Sequence, residues 1–461
     1  MLKKIFLFQF IIFGVLFMGC TSQKISCSDC NIIFISLDAL QESHVHSFGY
    51  VNNITPTIDQ IANSGYKFTN AISVSSWTVP ASMTWFTGVY PSQHKVTNKY
   101  TIFTNQKKVI SNLKKLSPNI TTLAEILKEH GYLTGGFTGD AGVNGIFGFN
   151  AGFDVYFDNT TPFSGFDVSE PKALAWIQKN KDKKIFLFLH GYDMHGQYEP
   201  KLGFDYRYVN FTYKGIYNGS PQQEAELREL GLEFGSITLG SDDVRFWRAI
   251  YDEKINRADT QLNTFLKEYE KMGLMNKTIF IITSDHGTEL YEHKRLDHGF
   301  TLYDELIHVP LIIKLPNQEQ GVTLPNQISS IDIMPTILEL AGIRGDEKIQ
   351  TQMMGSSLVP LMLGENMQVD AFSETNYRLY TYKRSVRTYD DWKYIYTIET
   401  GKEELYNLNT DPSETNNLIT SNLQKGYELK QKLFTWMQKT GQNIYGSWEL
   451  GCLPVYDGQC T

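Results

Sequence analysis

Residues 31–40 read NIIFISLDAL. A short run of Ile, Phe and Leu that stops at Asp38 is the pattern of a fully buried strand delivering a carboxylate at its carboxyl end. Residues 183–195, KKIFLFLHGYDMH, and 277–289, KTIFIITSDHGTE, repeat the pattern, each closing on polar groups. Between these runs lie amphipathic segments, TPTIDQIANSGY at 55–66, TTLAEILKEHGY at 121–132 and NRADTQLNTFLKEYEKMG at 256–273. Strands alternating with helices predict an α/β fold with a mostly parallel central sheet flanked by helices. Ligands of such sheets bind beyond the carboxyl ends of the strands, where all three polar clusters fall.

From Phe204 to about Asp243 the pattern loosens, and an irregular insertion over one face is expected. SSIDIMPTILELAGI at 329–343 is one more strand-to-helix unit. After Asp370 the texture changes to period-two alternation with Gly and Asn-Thr-Asp-Pro turns, KRSVRTYDDWKYIYTIETGKEELYNLNTDP. This predicts a small C-terminal antiparallel sheet with a closing helix near Glu428 to Thr440. The organisation expected is a catalytic α/β domain over 31–365, a C-terminal α+β subdomain over 370–440 and a tail over 441–461.

The chain has 461 residues and a formal net charge of −8, so it carries no basic footprint for nucleic acid. Aromatics at 13% point to a Tyr-rich surface or groove, or to biased composition. MLKK followed by IFLFQFIIFGVLFMG reads as a signal peptide over residues 1–20. It ends on Gly19-Cys20, like a bacterial lipobox with Phe17 where Leu is usual. An exported, cell-envelope lipoprotein is expected, held to the membrane by a lipid on Cys20 or by an uncleaved N-terminal anchor. Cys27, Cys30, Cys452 and Cys460 then sit in an oxidising compartment and read as disulfides of open connectivity.

Asp285 and His286, in SDHG at a strand end, join Asp38 as two carboxylates and one imidazole. With a hydroxyl oxygen they make a compact site for a divalent metal. The hydroxyl-rich stretch SSWTVPASMTWFTGVYP at 75–91 offers several such oxygens.

Taken together, these pieces resemble the sulfatase branch of the alkaline phosphatase superfamily. The matching segments run in family order from Asn31 to about Leu418: NIIFISLDAL, TVPASMTWFTGVYPSQH, FGFNAGFDVY, FLFLHGYDMHGQYEP, SDHGTELYEHKRLDHGFTLYDELIHVPLIIKLP, IDIMPTILELAG and EELYNLNTDPSETNNL. The resemblance implies an alkaline-phosphatase-like fold, a metal held by Asp38, Thr78, Asp285 and His286, and Thr78 at the nucleophile position. Ser75, Ser76, Ser82 and Thr84 are expected as turn, cap and helix-surface residues, and a plain helix N-cap is the competing role for Thr78. His195 and His298 match positions that contact the ester and its leaving group. Asp140 stands where sulfatases carry a Lys facing substrate. Asp193 is a further substrate-side carboxylate, or part of a second metal site with the two histidines. His190, His293, His308, His44, His46 and His94 are expected to be structural or at the surface.

The departures from the family pattern carry as much information. The frame Cys/Ser-x-Pro-Ser-Arg reads Thr78-Val79-Pro80-Ala81-Ser82, so the formylglycine of sulfatases has no precursor side chain. Ala39 replaces a second Asp, and His286 stands where calcium-dependent sulfatases have Asn. An imidazole ligand moves the preference from Ca toward Mn or Zn for the one divalent ion implied. These changes resemble members that act on phosphodiesters and phosphonates through a Thr. The expected activity is hydrolysis of sulfate or phosphate/phosphonate esters on a small-molecule, glycan or lipid substrate. Two alternatives are a cell-envelope phosphoglycerol or phosphoethanolamine transferase and a non-catalytic binding relic.

Overall fold

The computed structural model describes residues 25–97, 101–103, 109–111, 115–158, 161–196, 207–208, 212–379 and 381–442. The expected signal peptide, Cys20, Cys452 and Cys460 lie outside these residues.

The NIIFISL run forms the strand Asn31–Leu37, buried at every position, and its neighbours Ile185–Gly191 and Thr278–Thr283 are equally buried. Alternate side chains feed two faces. Ile32 and Phe34 enter one core with Trp85, Phe86 and Phe188, whereas Ile33, Ile35 and Leu37 enter a second with Trp247, Tyr251 and Phe265. Full burial of each such side chain is worth about 1.5–3 kcal/mol, so the central strand is held from both sides. Many of the aromatics therefore sit in these cores and not in a groove; Phe34 lies 5.6 Å from Phe188, which lies 4.9 Å from Phe86.

Among the described residues nine strands make the main sheet, in the order Val322–Leu324, Tyr66–Ile72, His308–Lys314, Thr278–Thr283, Asn31–Leu37, Ile185–Gly191, Leu133–Phe137 and Val155–Phe157, with Ile328–Ser329 also on Tyr66–Ile72. It is mostly parallel; His308–Lys314 alone runs against both of its neighbours. The register positions the site. Ser36 lies opposite His190 on one side and Thr283 on the other. Asp38 and Asp285 each follow two residues later, so parallel pairing brings both carboxylates to one edge beside His190.

Four antiparallel strands, Ala371–Thr375, Lys383–Arg387, Trp392–Thr397 and Lys402–Asn407, form the C-terminal sheet. The closing helix is Leu423–Lys439, five residues longer at its start than expected, because the Asn422 side chain accepts from Lys425 N and caps it there. The region expected to be irregular holds a helix, Pro221–Phe234. Ser220 caps it, Pro221 opens it and Gly235 closes it at φ +82°, a complete set of helix boundaries around a weakly apolar face. Cys27 and Cys30 form a disulfide just before the first strand. Among the described residues no helix is long and apolar enough to cross a membrane.

Candidate active site

Thr78 is the first residue of the helix Thr78–Thr87, whose N-cap is Trp77 and whose C-cap Gly88 takes the left-handed conformation at φ +65°. Every residue of this helix is buried, so Ser82 and Thr84 are not the surface residues expected. Thr84 and Thr87 hydroxyls donate to carbonyls one turn back, and Ser75 donates to the Glu374 carbonyl at 2.7 Å. Thr78 is used differently. Its Oγ1 donates to Asp38 Oδ2 at 3.1 Å and lies 3.3 Å from His286 Nε2. It is therefore not a cap for its own helix; it points into the cluster at the strand ends.

His286 Nδ1 lies 2.6 Å from the Gly287 carbonyl. A carbonyl only accepts, so Nδ1 carries the hydrogen and Nε2 presents its lone pair. That Nε2 is 3.6 Å from Asp285 Oδ2, and His190 Nε2 is 3.6 Å from Asp38 Oδ2. Ala39, in left-handed backbone at φ +60°, gives its N–H to Asp285 Oδ1 at 3.2 Å. Asp38, Asp285 and His286 are fully buried. Burial first, and then the Asp285 charge, raises Asp38 well above the usual carboxylate range. Burial also acts to raise Asp285, but the imidazoles of His286 and His190 beside it outweigh that and hold this acid low.

Asp38 Oδ1 and Asp285 Oδ2 have no hydrogen-bond partner among the described residues. Two buried carboxylate oxygens left in this way, with an imidazole lone pair and a hydroxyl oxygen beside them, fit a divalent cation. Asp38, His190 and Asp285 place ligand atoms within 4.8 Å of one another. His190, expected to be structural, thus joins the candidate ligands; its signal was the apolar run ending at His190, which parallel pairing sets beside Asp38. A second cluster, Glu289, His293 and Glu305, has similar spacing. There His293 Nδ1 faces Glu305 at 2.5 Å and Nε2 faces the Glu414 carbonyl at 3.2 Å. With an acceptor at each nitrogen, His293 is a cation in an ion pair, so this cluster is structural.

His298 and His195 stand over the metal-ligand cluster. The His298 ring is 4.4 Å from that of His286 and 4.9 Å from that of His195. His298 Nδ1 lies 2.5 Å from Asp297, and His195 Nδ1 lies 3.0 Å from the Gly196 carbonyl. Tyr192, which sequence reasoning passed over, lies between them and His190, at 5.4 Å from His195 and 4.6 Å from His190. Its hydroxyl accepts from Gly142 N at 2.7 Å. That bond fixes the 141–143 turn against Thr78; a Cβ on Gly142 would stand 3.1 Å from Thr78 Cγ2.

Two expected substrate residues have other partners. Asp193 accepts from Phe166 N at 2.8 Å and so caps the helix Phe166–Lys179, whose own N-cap position is Gly165 and offers no side chain. In this position it serves as a helix cap. Asp140 flanks the turn against Thr78, but its carboxylate accepts from Asn144 Nδ2 at 2.5 Å.

The sulfatase family model matches residues 30–343, and the C-terminal model of N-sulphoglucosamine sulphohydrolase matches 291–442. The chain belongs to the sulfatase family. It is an ester hydrolase of that family, and the family's divalent metal has its candidate ligands in the cluster just described. Arylsulfatase K of Rattus norvegicus is 25% identical over 463 residues, spanning 87% of this chain and 77% of that protein. The Delta 4,5-hexuronate-2-O-sulfatase of Bacteroides thetaiotaomicron is 23% identical and spans 84% of each. The phosphonate monoester hydrolase of Agrobacterium radiobacter shares the fold with a TM-score of 0.70 at 20% identity, over 89% of this chain and 96% of that one.

Proposed function

We propose that this sulfatase-family protein cleaves sulfate or phosphate/phosphonate esters through Thr78 as a covalent nucleophile. One observation carries the reading: of the hydroxyls in the 75–91 stretch, that of Thr78 reaches both Asp38 and His286. The helix N-terminus behind it favours an anionic group at the same point. Asp38, Asp285 and His286, with His190 beside them and Thr78 as the hydroxyl ligand, would hold one Mn, Zn or Ca ion. When bound, such an ion lowers the hydroxyl pKa and neutralises the ester oxygens.

The chain's own groups supply the rest. The Thr78 proton leaves along its hydrogen bond to Asp38 Oδ2 as Oγ1 bonds to the central sulfur or phosphorus. The bond to the leaving oxygen breaks, that oxygen keeps the electron pair, and His298 gives it a proton from Nε2. In the second half His298 takes a proton from water as the water oxygen bonds to the central atom; the bond to Thr78 breaks, Oγ1 keeps the electron pair and takes its proton back from Asp38. His195 lines the same space. The family relatives that act on sulfated uronates support a glycan ester as substrate, and the phosphonate hydrolase fold supports the wider ester range.

Purified protein assayed on matched aryl sulfate, phosphodiester and phosphonate substrates tests this, with mass spectrometry of quenched turnover to find the Thr78 adduct. An adduct on Ser76 or Ser82, or turnover that survives loss of the Thr78 hydroxyl, would overturn it. Products formed with added alcohols in place of water would favour the transferase. We also propose export and anchoring through Cys20. Cys20→Ser should leave an unprocessed or released form, and unchanged membrane attachment would contradict the lipid.

A further inference from the structure

The carboxyl groups behind His298 have a role that the scheme above leaves unused. Asp297 is 2% exposed, and its Oδ1 takes the His298 backbone N–H at 2.9 Å while lying 2.5 Å from His298 Nδ1. Its Oδ2 takes Arg228 Nη1 at 3.0 Å. Asp297 holds this position in left-handed backbone, φ +81°, which an L side chain rarely adopts. Glu224, 1% exposed, stands beside Asp297, and burial first and the Asp297 charge second push its carboxyl well above the usual carboxylate range. Its Oε1 has no partner among the described residues and lies 2.7 Å from where a Cβ on Gly196, the residue after His195, would stand. Glu224 and Arg228 are one turn apart on the helix Pro221–Phe234, so a single helix face grips Asp297 from two directions.

We infer that Asp297, with Glu224 and Arg228 behind it, is the positioning assembly of the leaving-group donor His298. A carboxylate at Nδ1 fixes the rotation of the imidazole and keeps a hydrogen on Nδ1, so that Nε2, away from Asp297, is the nitrogen that gives up and takes back the reaction's proton as the ring cycles between imidazolium and imidazole. In its protonated form Glu224 gives Asp297 a hydrogen bond without adding a second negative charge, and Arg228 stops the carboxylate from turning away from the ring. The helix of the 204–243 insertion therefore serves the reaction without touching substrate. This inference rests on His298 being the proton donor.

The test uses the whole protein with 4-nitrophenyl sulfate, whose leaving group needs little protonation, and phenyl sulfate, whose leaving group needs more; matching phenylphosphonates replace them if phosphonate is the ester turned over. His298→Ala examines the underlying reading and should cost about 10²-fold or more in kcat on the phenyl ester but less than about tenfold on the nitrophenyl ester. Asp297→Ala and Glu224→Leu should reproduce that leaving-group dependence at reduced size, with KM and metal content unchanged. Glu224→Gln, whose amide still donates to Asp297, should restore the phenyl ester rate. If Asp297→Ala does not fold, the isosteric Asp297→Asn carries the same expectation, smaller in size. Equal losses on both esters in the Asp297 and Glu224 variants, with His298→Ala discriminating, would reduce the assembly to a structural one and overturn the inference. Absence of discrimination in His298→Ala would remove the proton-donor reading, and the inference with it.

Discussion

The Thr78 hydroxyl donates to Asp38 across 3.1 Å, joining a helix start to the end of the central strand 40 residues earlier. A capping threonine would direct its oxygen at backbone N–H groups of its own helix. Thr78 instead gives its proton to a carboxylate and leaves its lone pairs on the side of His286.

The first prediction follows from that bond. Thr78→Ala should fold and retain most of its metal, since Asp38, Asp285 and His286 remain, yet lose turnover by about 10³-fold or more. Thr78→Ser should keep partial activity, because the hydroxyl persists with more rotamer freedom. Steady-state rates with metal analysis on the same samples check both. Near-normal turnover in Thr78→Ala would sink the nucleophile assignment.

Metal content separates the ligands from their neighbours. As-purified protein should hold about one equivalent of a divalent ion, and Asp285→Ala or His286→Ala should lose it; the loss of a buried ligand leaves a charge or lone pair that nothing else satisfies. His190→Ala should weaken retention during dialysis against a chelator. Two equivalents that depend on Asp193 and His298 would replace the one-metal site with two.

Asp193 supplies the contrast. Because its carboxylate caps the helix Phe166–Lys179, Asp193→Ala should lower stability by about 0.5–2 kcal/mol while leaving metal content and KM alone. Chemical denaturation and kinetics on one preparation decide it. A large rise in KM at unchanged stability would return Asp193 to the substrate side.

The contrast between Asp193 and Asp38 shows what the sequence could reveal. Asp38 and Asp285 were legible because strand, polar end and parallel pairing are all local or near-local patterns, and register then brings the ends together. His190 followed from the same register, but only once the strands were known to be neighbours. The task of Asp193 was hidden because the helix it caps starts 27 residues upstream and presents Gly165 at its own cap. The insertion helix was missed because its apolar face is slight; Leu227 and Gly231 are buried on it, while Glu224 goes in as a buried acid, which periodicity counts as polar. Thr78 was visible as a hydroxyl in a family frame, but that its oxygen reaches Asp38 could be seen only in the structure.

The last prediction concerns alkaline stability. The cluster of Glu289, His293, Glu305 and Glu414 ties the 289–305 segment to the loop that follows the C-terminal sheet through the bond from His293 to the Glu414 carbonyl. Burial acts to lower the His293 pKa, but the hydrogen bond and charge of Glu305 outweigh it and bring it to about 9. Burial first, then Glu305, raises Glu289 to about 8; burial likewise raises Glu414 to about 8 against the pull of Lys393. Arg295, Asp304, Glu292 and Asp411 also face the cluster. All three folded-state values lie above those of the unfolded chain, so over this range the native state binds more protons than the unfolded chain and loses stability as pH rises. The His293 contribution is complete below about 6.5 and is lost as pH rises through about 9, while Glu289 and Glu414 lose theirs through about 8. The sign is the same for each. Thermal melts should therefore show Tm falling from about pH 4.5 to pH 9, more steeply above about 6.5 where His293 joins the two glutamates. Glu305→Gln, which removes the charge holding the His293 proton and part of the push on Glu289, should flatten that fall and lower Tm at pH 6.5. A variant that runs parallel to the parent across the whole range would show that the cluster does not control the alkaline limb.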